Sequence, residues 1–249
     1  MRKNYFFICL LLIFISCEKP SECIESAGEM VTKTVSVNPF TRIKVYRGIA
    51  VKITQGPEYK VEIKSGSTII DNISVAQINN QLIFTDNSSC NWLREYGQTT
   101  IYITTPTLEE IYSKTEQDIS SNGVLTFPVL KLFSIDKTGD GENSAGTGDF
   151  HFTINNDIMQ IESNNVSRFY ISGTTNTEII NLWAGDSRVD ASNLTAQNIS
   201  VFHRASNDII VRPIQSITGK MVSTGNIILK NNPPIVDVQQ LYQGHVIYN

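Results

Sequence analysis

Ser206-Asn207-Asp208-Ile209-Ile210-Val211-Arg212-Pro213 is echoed further along the chain by Thr224-Gly225-Asn226-Ile227-Ile228-Leu229-Lys230. The match extends backwards through Thr147-Gly148-Asp149-Phe150, Ser167-Arg168-Phe169 and Asp186-Ser187-Arg188-Val189. Phe150, Phe169, Val189 and Ile209 thus recur at intervals of roughly 20 residues, each behind a small polar step. A unit of that length holding two or three short strands cannot bury its own apolar side, but a stack of such units buries a continuous column. The expected fold is all-β, a right-handed parallel β-helix (solenoid) with Ile, Val, Leu and Phe laddered inward and Asn, Ser and Gly at the bends. A β-sandwich is the alternative, since it too yields short strands separated by turns.

Working outward, the composition agrees. The 249 residues include 33 Ile and 22 Asn but only 8 Ala. β-branched side chains suit a pleated, half-buried surface, Ala favours helices, and Asn tolerates tight turns. Upstream of about Leu108 the strands are short and alternate at period two: Val35 and Val37, Ile43 and Val45, Val51 and Ile53, Val61 and Ile63. Gly48, Gly56-Pro57 and Ser65-Gly66 punctuate them, and Asn79-Asn80-Gln81 reads as a hairpin turn. No apolar stripe at helical spacing lasts more than a turn or two, so essentially no helix is expected beyond the leader. With 20 basic and 24 acidic side chains, the chain has no basic stripe for phosphates and is not expected to bind nucleic acid.

Residues 1–16 read as a secretory signal: Arg2 and Lys3, a short apolar run from Tyr5 to Phe14, then Ile15-Ser16 before Cys17. The apolar run is shorter than the roughly 20 residues that span a bilayer. Phe14-Ile15-Ser16-Cys17 resembles a bacterial lipobox, which makes Cys17 the lipidated first residue of the mature chain and supplies membrane attachment through its acyl groups. Residues 17–30 then form a tether and residues 31–249 a single domain. Cys23 and Cys90 would remain in an oxidising compartment and read as a disulfide, with two free thiols as the rival reading.

Further residues carry a family resemblance. Val37-Asn38-Pro39-Phe40-Thr41-Arg42-Ile43-Lys44-Val45, Val51-Lys52-Ile53-Thr54-Gln55-Gly56 and Val61-Glu62-Ile63 resemble the opening of the autotransporter-adhesin head GIN domain family. Asn80 to Phe84, Ile101 to Ile111, and the ending with Gly225-Asn226, Pro233-Pro234 and Gly244 to Ile247 continue the pattern. Lys114-Thr115-Glu116-Gln117-Asp118 departs from it, standing where the family often has a Gly-Ser-Gly-like step. The resemblance implies an exported protein, often a lipoprotein of Gram-negative bacteria. It also implies a right-handed β-helical fold like that of pectin lyases, without their catalytic residues.

Chemistry is sparse. Asp136 to Glu142 has the acidic residues and glycines of a calcium loop, but Thr147 stands where an EF-hand needs its bidentate Glu, and a plain corner explains the composition. Arg168, Arg188, Arg204 and Arg212 with Asp186, Asp190 and Asp208 could line one outer face, as in polysaccharide lyases of β-helical architecture; ordinary solvated charges are the commoner explanation. His151, His203 and His245 are far apart in sequence and suggest no metal site. Trp92 and Tyr96, with Tyr102 and Tyr112, are candidate ligand-contact aromatics, or else they cap an end of the stack. No cofactor and no catalytic constellation emerge. The expected function is a membrane-anchored, non-enzymatic envelope lipoprotein, outer-membrane and facing the periplasm or the cell surface, that adheres to a glycan or a surface protein. A carbohydrate-active enzyme on the same scaffold and an envelope assembly partner are the alternatives.

Overall fold

A computed structural model describes residues 27–88, 97–137 and 146–249. The signal, Cys17, Cys23, Cys90, Trp92, Tyr96 and the 138–142 part of the acidic loop lie outside the described residues. The strands are, in order, β1 (Met30–Val35), β2 (Arg42–Tyr46), β3 (Ile49–Gln55), β4 (Lys60–Gly66), β5 (Ile73–Ile78) and β6 (Gln81–Asp86). There follow β7 (Thr99–Thr105), β8 (Glu110–Lys114), β9 (Ile119–Leu125) and β10 (Val129–Ser134). Four long strands come next: β11 (Phe150–Ser163), β12 (Arg168–Leu182), β13 (Arg188–His203) and β14 (Ile209–Met221). The chain ends with β15 (Ile227–Leu229), β16 (Ile235–Gln240) and β17 (Val246–Tyr248). The all-β expectation holds; a single 3₁₀ turn at Ile70–Asn72 is the only helical element among the described residues. None of their helices is long and apolar enough to cross a membrane.

All the strands join one sheet, which folds back on itself into a nearly closed, barrel-like arrangement around the core. Its hydrogen bonds form two ladders. One runs β6, β2, β8, β10 and then the second halves of β11 to β14, ending at β16, all parallel. The other runs β7, β3, β9 and the first halves of β11 to β14, then β15 and β17, again parallel. The repeat read from the sequence is the register observed: Phe150 pairs with Phe169, Phe169 with Val189, Val189 with Ile209 and Ile209 with Ile227. Each strand is held by main-chain bonds to the strand one repeat away, so inward side chains must stack on inward side chains.

The stacking is visible in the core. Phe150 and Phe169 are fully buried, with centroids 4.7 Å apart and planes within 11°. In the facing ladder Ile43, Ile111, Leu132, Ile161, Ile180 and Val201 form a second column, each essentially without solvent exposure. Each such side chain contributes about 1.5–3 kcal/mol of burial. Several inward serines bond to one another across repeats. Ser134 and Ser167 hydroxyls lie 2.8 Å apart, and those of Ser163 and Ser187 2.7 Å apart.

The change of character near Leu108 is not a structural boundary. β2 and β3 slot between β6 and β8 and between β7 and β9, so they belong to the same parallel stack as the later repeats. The first end of the stack is closed by antiparallel strands. β5 folds onto β6 through the expected Asn79-Asn80 hairpin, β4 onto β7, and β1 onto β4. Asn79 takes φ 55°, the left-handed conformation that Asn tolerates in such turns.

Candidate functional site: a polar face on the central repeats

Alternation along β11, β12 and β13 buries one set of side chains and leaves the next on the outside. Past Arg168 and Arg188, the outward residues in the first halves of these strands are mostly Ser, Thr, Asn, Asp, His and Tyr, and in-register pairing brings equivalents side by side. Thr153 and Ser172 hydroxyls lie 3.0 Å apart, Thr174 donates to Asn155 Oδ1 at 2.9 Å, and Asn176 Nδ2 donates to Asp157 Oδ1 at 2.8 Å. Two clefts lie along this face. The larger, about 410 Å³, is lined by Ser121, His151, Thr153, Tyr170, Ser172, Asp190, Ser192 and Asn193 among others. The smaller, about 280 Å³, follows along the same strands and includes Asn155, Asp157, Asn176 and Gln197.

Within the larger cleft the rings of His151 and Tyr170 stack, centroids 4.8 Å apart and planes 11° from parallel. Asp190, which pairs with Tyr170 on the other side, accepts hydrogen bonds on Oδ1 from Ser192 Oγ at 2.7 Å and Ser192 N at 3.2 Å. At the margin Asp118, Asp149 and His151 bring one ligand atom each to within 4.8 Å of the others, the grouping among the described residues that could hold a cation. Asp118 and His151 lie one repeat apart in space but far apart in sequence, so spacing did not reveal them. The two carboxylates already serve the backbone, however: Asp118 Oδ1 accepts from Asp149 N and Asp149 Oδ1 from Arg168 N. Asp208 and Asn226 repeat the arrangement with Asn226 N and His245 N, which marks it as a corner motif of the stack.

The other sequence candidates are distributed elsewhere. Asp186 Oδ1 accepts from Ser206 Oγ, Arg188 reaches Asn207 and Asp208 at 3.4 and 3.9 Å, and Arg212 donates to the Ser192 carbonyl. Asn207 joins Asp186 and Arg188 at a single corner, donating from Nδ2 to Asp186 Oδ2 at 3.5 Å, while Arg212 bonds elsewhere. Asp136, the first residue of the acidic loop, pairs with the buried Lys114 ammonium at 3.2 Å and accepts from Asn165 Nδ2 at 2.8 Å, so its carboxylate is already engaged. Tyr102 and Tyr112 are on different ladders; Tyr112 stacks on Phe133 at 4.4 Å, and burial raises its pKa. His203 is fully buried in the core, where desolvation lowers its pKa to about 4. Glu178 is buried too, inward between Met159 and Ile199, with neither carboxyl oxygen bonded and its pKa raised to about 8 by desolvation.

Solved structures share this architecture. An adhesin from Bacteroides fragilis, itself called "putative", superposes with a TM-score of 0.78 at 19% identity, covering 90% of this chain and 100% of the other. A similarly named adhesin from Parabacteroides merdae gives a TM-score of 0.62 at 13% identity over 89% and 97% of the two chains. A "Putative lipid binding protein" from Parabacteroides distasonis gives 0.61 at 13% identity over 88% and 97%. At these identities the likeness is one of fold. No curated protein matches. Residues 39–233 match the model of a family described as "Putative auto-transporter adhesin, head GIN domain".

Proposed function

The chain belongs to the head GIN domain family of auto-transporter adhesins, and from that premise we propose that it is a non-enzymatic binding protein of the cell envelope. In this reading the domain is a right-handed β-helical solenoid, held to a membrane by lipid on Cys17 and spaced from it by the residues that lead to Ala27, which is itself packed in the core. Its ligand is a glycan or a protein on a neighbouring surface, reached through many weak polar contacts along one side. Support for the solenoid comes from the parallel, one-repeat register of β11 to β14. The observation that carries the binding role is the contrast on the outer surface. Hydroxyls, carboxamides and stacked rings line the two clefts with one carboxylate each, Asp190 and Asp157, while Asp186 and Arg188 are spent on corner contacts.

Cell fractionation with surface proteolysis tests this. The wild-type chain should sediment with membranes and be digested on intact cells, and Cys17→Ala should release it. Unchanged sedimentation of Cys17→Ala would refute the lipid anchor. Complete protection on intact cells would refute adhesion outside the cell.

A further inference from the structure

We propose that the cleft on β11, β12 and β13 is a saccharide subsite for an uncharged, hydroxyl-rich sugar stacked against Tyr170; this deepens the binding reading above and rests on it. His151 covers one face of the Tyr170 ring, and the next neighbour on the other side is Asp190. Tyr170 remains 37% exposed and lines the cleft, so part of its ring is open to a ligand. A sugar ring offers an apolar face of C–H groups edged by hydroxyls, so it needs an aromatic surface below and fixed donors and acceptors at its rim.

The rim supplies both. Asp190 is oriented by the two bonds from Ser192 to its Oδ1, which leaves Oδ2 without a partner among the described residues and ready to accept from a pair of hydroxyls. Ser172 and Thr153 hydroxyls form the floor, and the exposed Asn193 carboxamide brings a donor and an acceptor on one planar group. A volume of about 410 Å³ lies inside the range of about 300–1,000 Å³ that small-molecule sites occupy. Only Phe152 and Ile171 among the lining residues are apolar, and both are buried, so the cleft presents polar groups that suit hydroxyls better than an apolar side chain.

Charge decides the class of sugar. Asp190 lines the cleft and Asp118 and Asp149 stand at its margin, whereas Arg168 and Arg188 are at the corner outside the lining, Arg188 held by Asp208 and Asn207, and Arg212, also outside the lining, is bonded to the Ser192 carbonyl. A uronate or sialate would meet carboxylates first, whereas a neutral hexose would meet acceptors for its hydroxyls.

Titration calorimetry of the full-length chain in detergent, with maltohexaose, cellohexaose, mannohexaose and hexagalacturonate as probes, tests the assignment. At least one neutral hexasaccharide should bind. Tyr170→Ala should weaken that binding about 10-fold, the loss expected for a removed stacking surface. Tyr170→Phe should keep most of it, Asp190→Asn should weaken it, and all three variants should melt with the wild type because the residues are outward-facing. The proposal is overturned if no neutral hexasaccharide binds, if Tyr170→Ala binds as well as wild type, or if hexagalacturonate is preferred. Fractionation of the cells would be unaffected by any of these results, so the envelope-binding reading stands or falls separately.

Discussion

Replacing Glu178 should stabilise this protein, and by an amount that grows with pH. The side chain points inward in register with Met159 and Ile199, has no solvent exposure and makes no hydrogen bond through either carboxyl oxygen. Its folded-state pKa is raised to about 8 from 4.5, with desolvation as the cause. Between those two values the unfolded chain has released a proton that the folded chain still holds. Raising the pH therefore favours unfolding, at about 1.4 kcal/mol per pH unit. From pH 4.5 to pH 7 this amounts to roughly 3 kcal/mol, a large share of the 5–15 kcal/mol that typically separates folded from unfolded domains. Glu178→Met keeps the length of the side chain, matches the adjacent Met159 and removes the proton linkage. Urea unfolding of both proteins from pH 4.5 to 8 measures the difference. The variant should be modestly more stable at pH 4.5 and about 3 kcal/mol or more ahead at pH 7. A difference that is flat with pH, or a variant weaker than wild type at pH 7, would refute the claim that Glu178 folds as a buried, protonated acid.

His203 should act in the opposite direction. Burial holds its folded pKa at about 4 against 6.5, so the unfolded chain takes up the extra proton and stability is lost as pH falls from 6.5 toward 4. Across pH 4.5 to 6.5 the two slopes oppose, so wild-type stability should be nearly level there and decline from 6.5 to 8; His203→Leu, matching Leu182 in register, should unmask the Glu178 slope over the whole interval. Gly219 sits at φ +136°, where a Cβ would come within 1.9 Å of the Val201 carbonyl oxygen, so Gly219→Ala should cost about 2 kcal/mol or more in denaturant melts. Asp136→Asn should lower stability by about 1–2 kcal/mol by weakening the bond to buried Lys114, and saturating calcium should leave the wild-type melting curve in place.

The later half of the fold was legible because its signal is local in register. Phe150, Phe169, Val189 and Ile209 recur one repeat apart, and main-chain pairing at that spacing follows directly. The earlier half was less so. β2 pairs with β8 although five strands intervene, and the intervening antiparallel strands have the same period-two pattern as the parallel ones. Glu178 was invisible for a related reason: in Asn176-Thr177-Glu178-Ile179 a charged residue reads as outward-facing, and only the bend within β12 turns it inward. The face of His151 and Tyr170 could have been found. Both follow the inward Phe150 and Phe169 by one residue, so the same repeat that stacks the phenylalanines inside must stack their successors outside.

The antiparallel closure of the first end also decides how the protein yields under load. Ala27 packs beside Gly66 and the chain runs on into β1, whose six rungs to β4 attach it to the rest of the stack. β1 is exposed along nearly its whole length. A pull on the chain ahead of Ala27, directed across the strands, meets those rungs one after another, not together, so the β1 strand peels at low force. Releasing it lengthens the connection by about 20 Å, at roughly 3.3 Å per residue over six residues. The parallel ladders that carry the polar face need not break for this to happen, so under the proposed lipid anchor the first strand would act as a mechanical fuse ahead of the cleft.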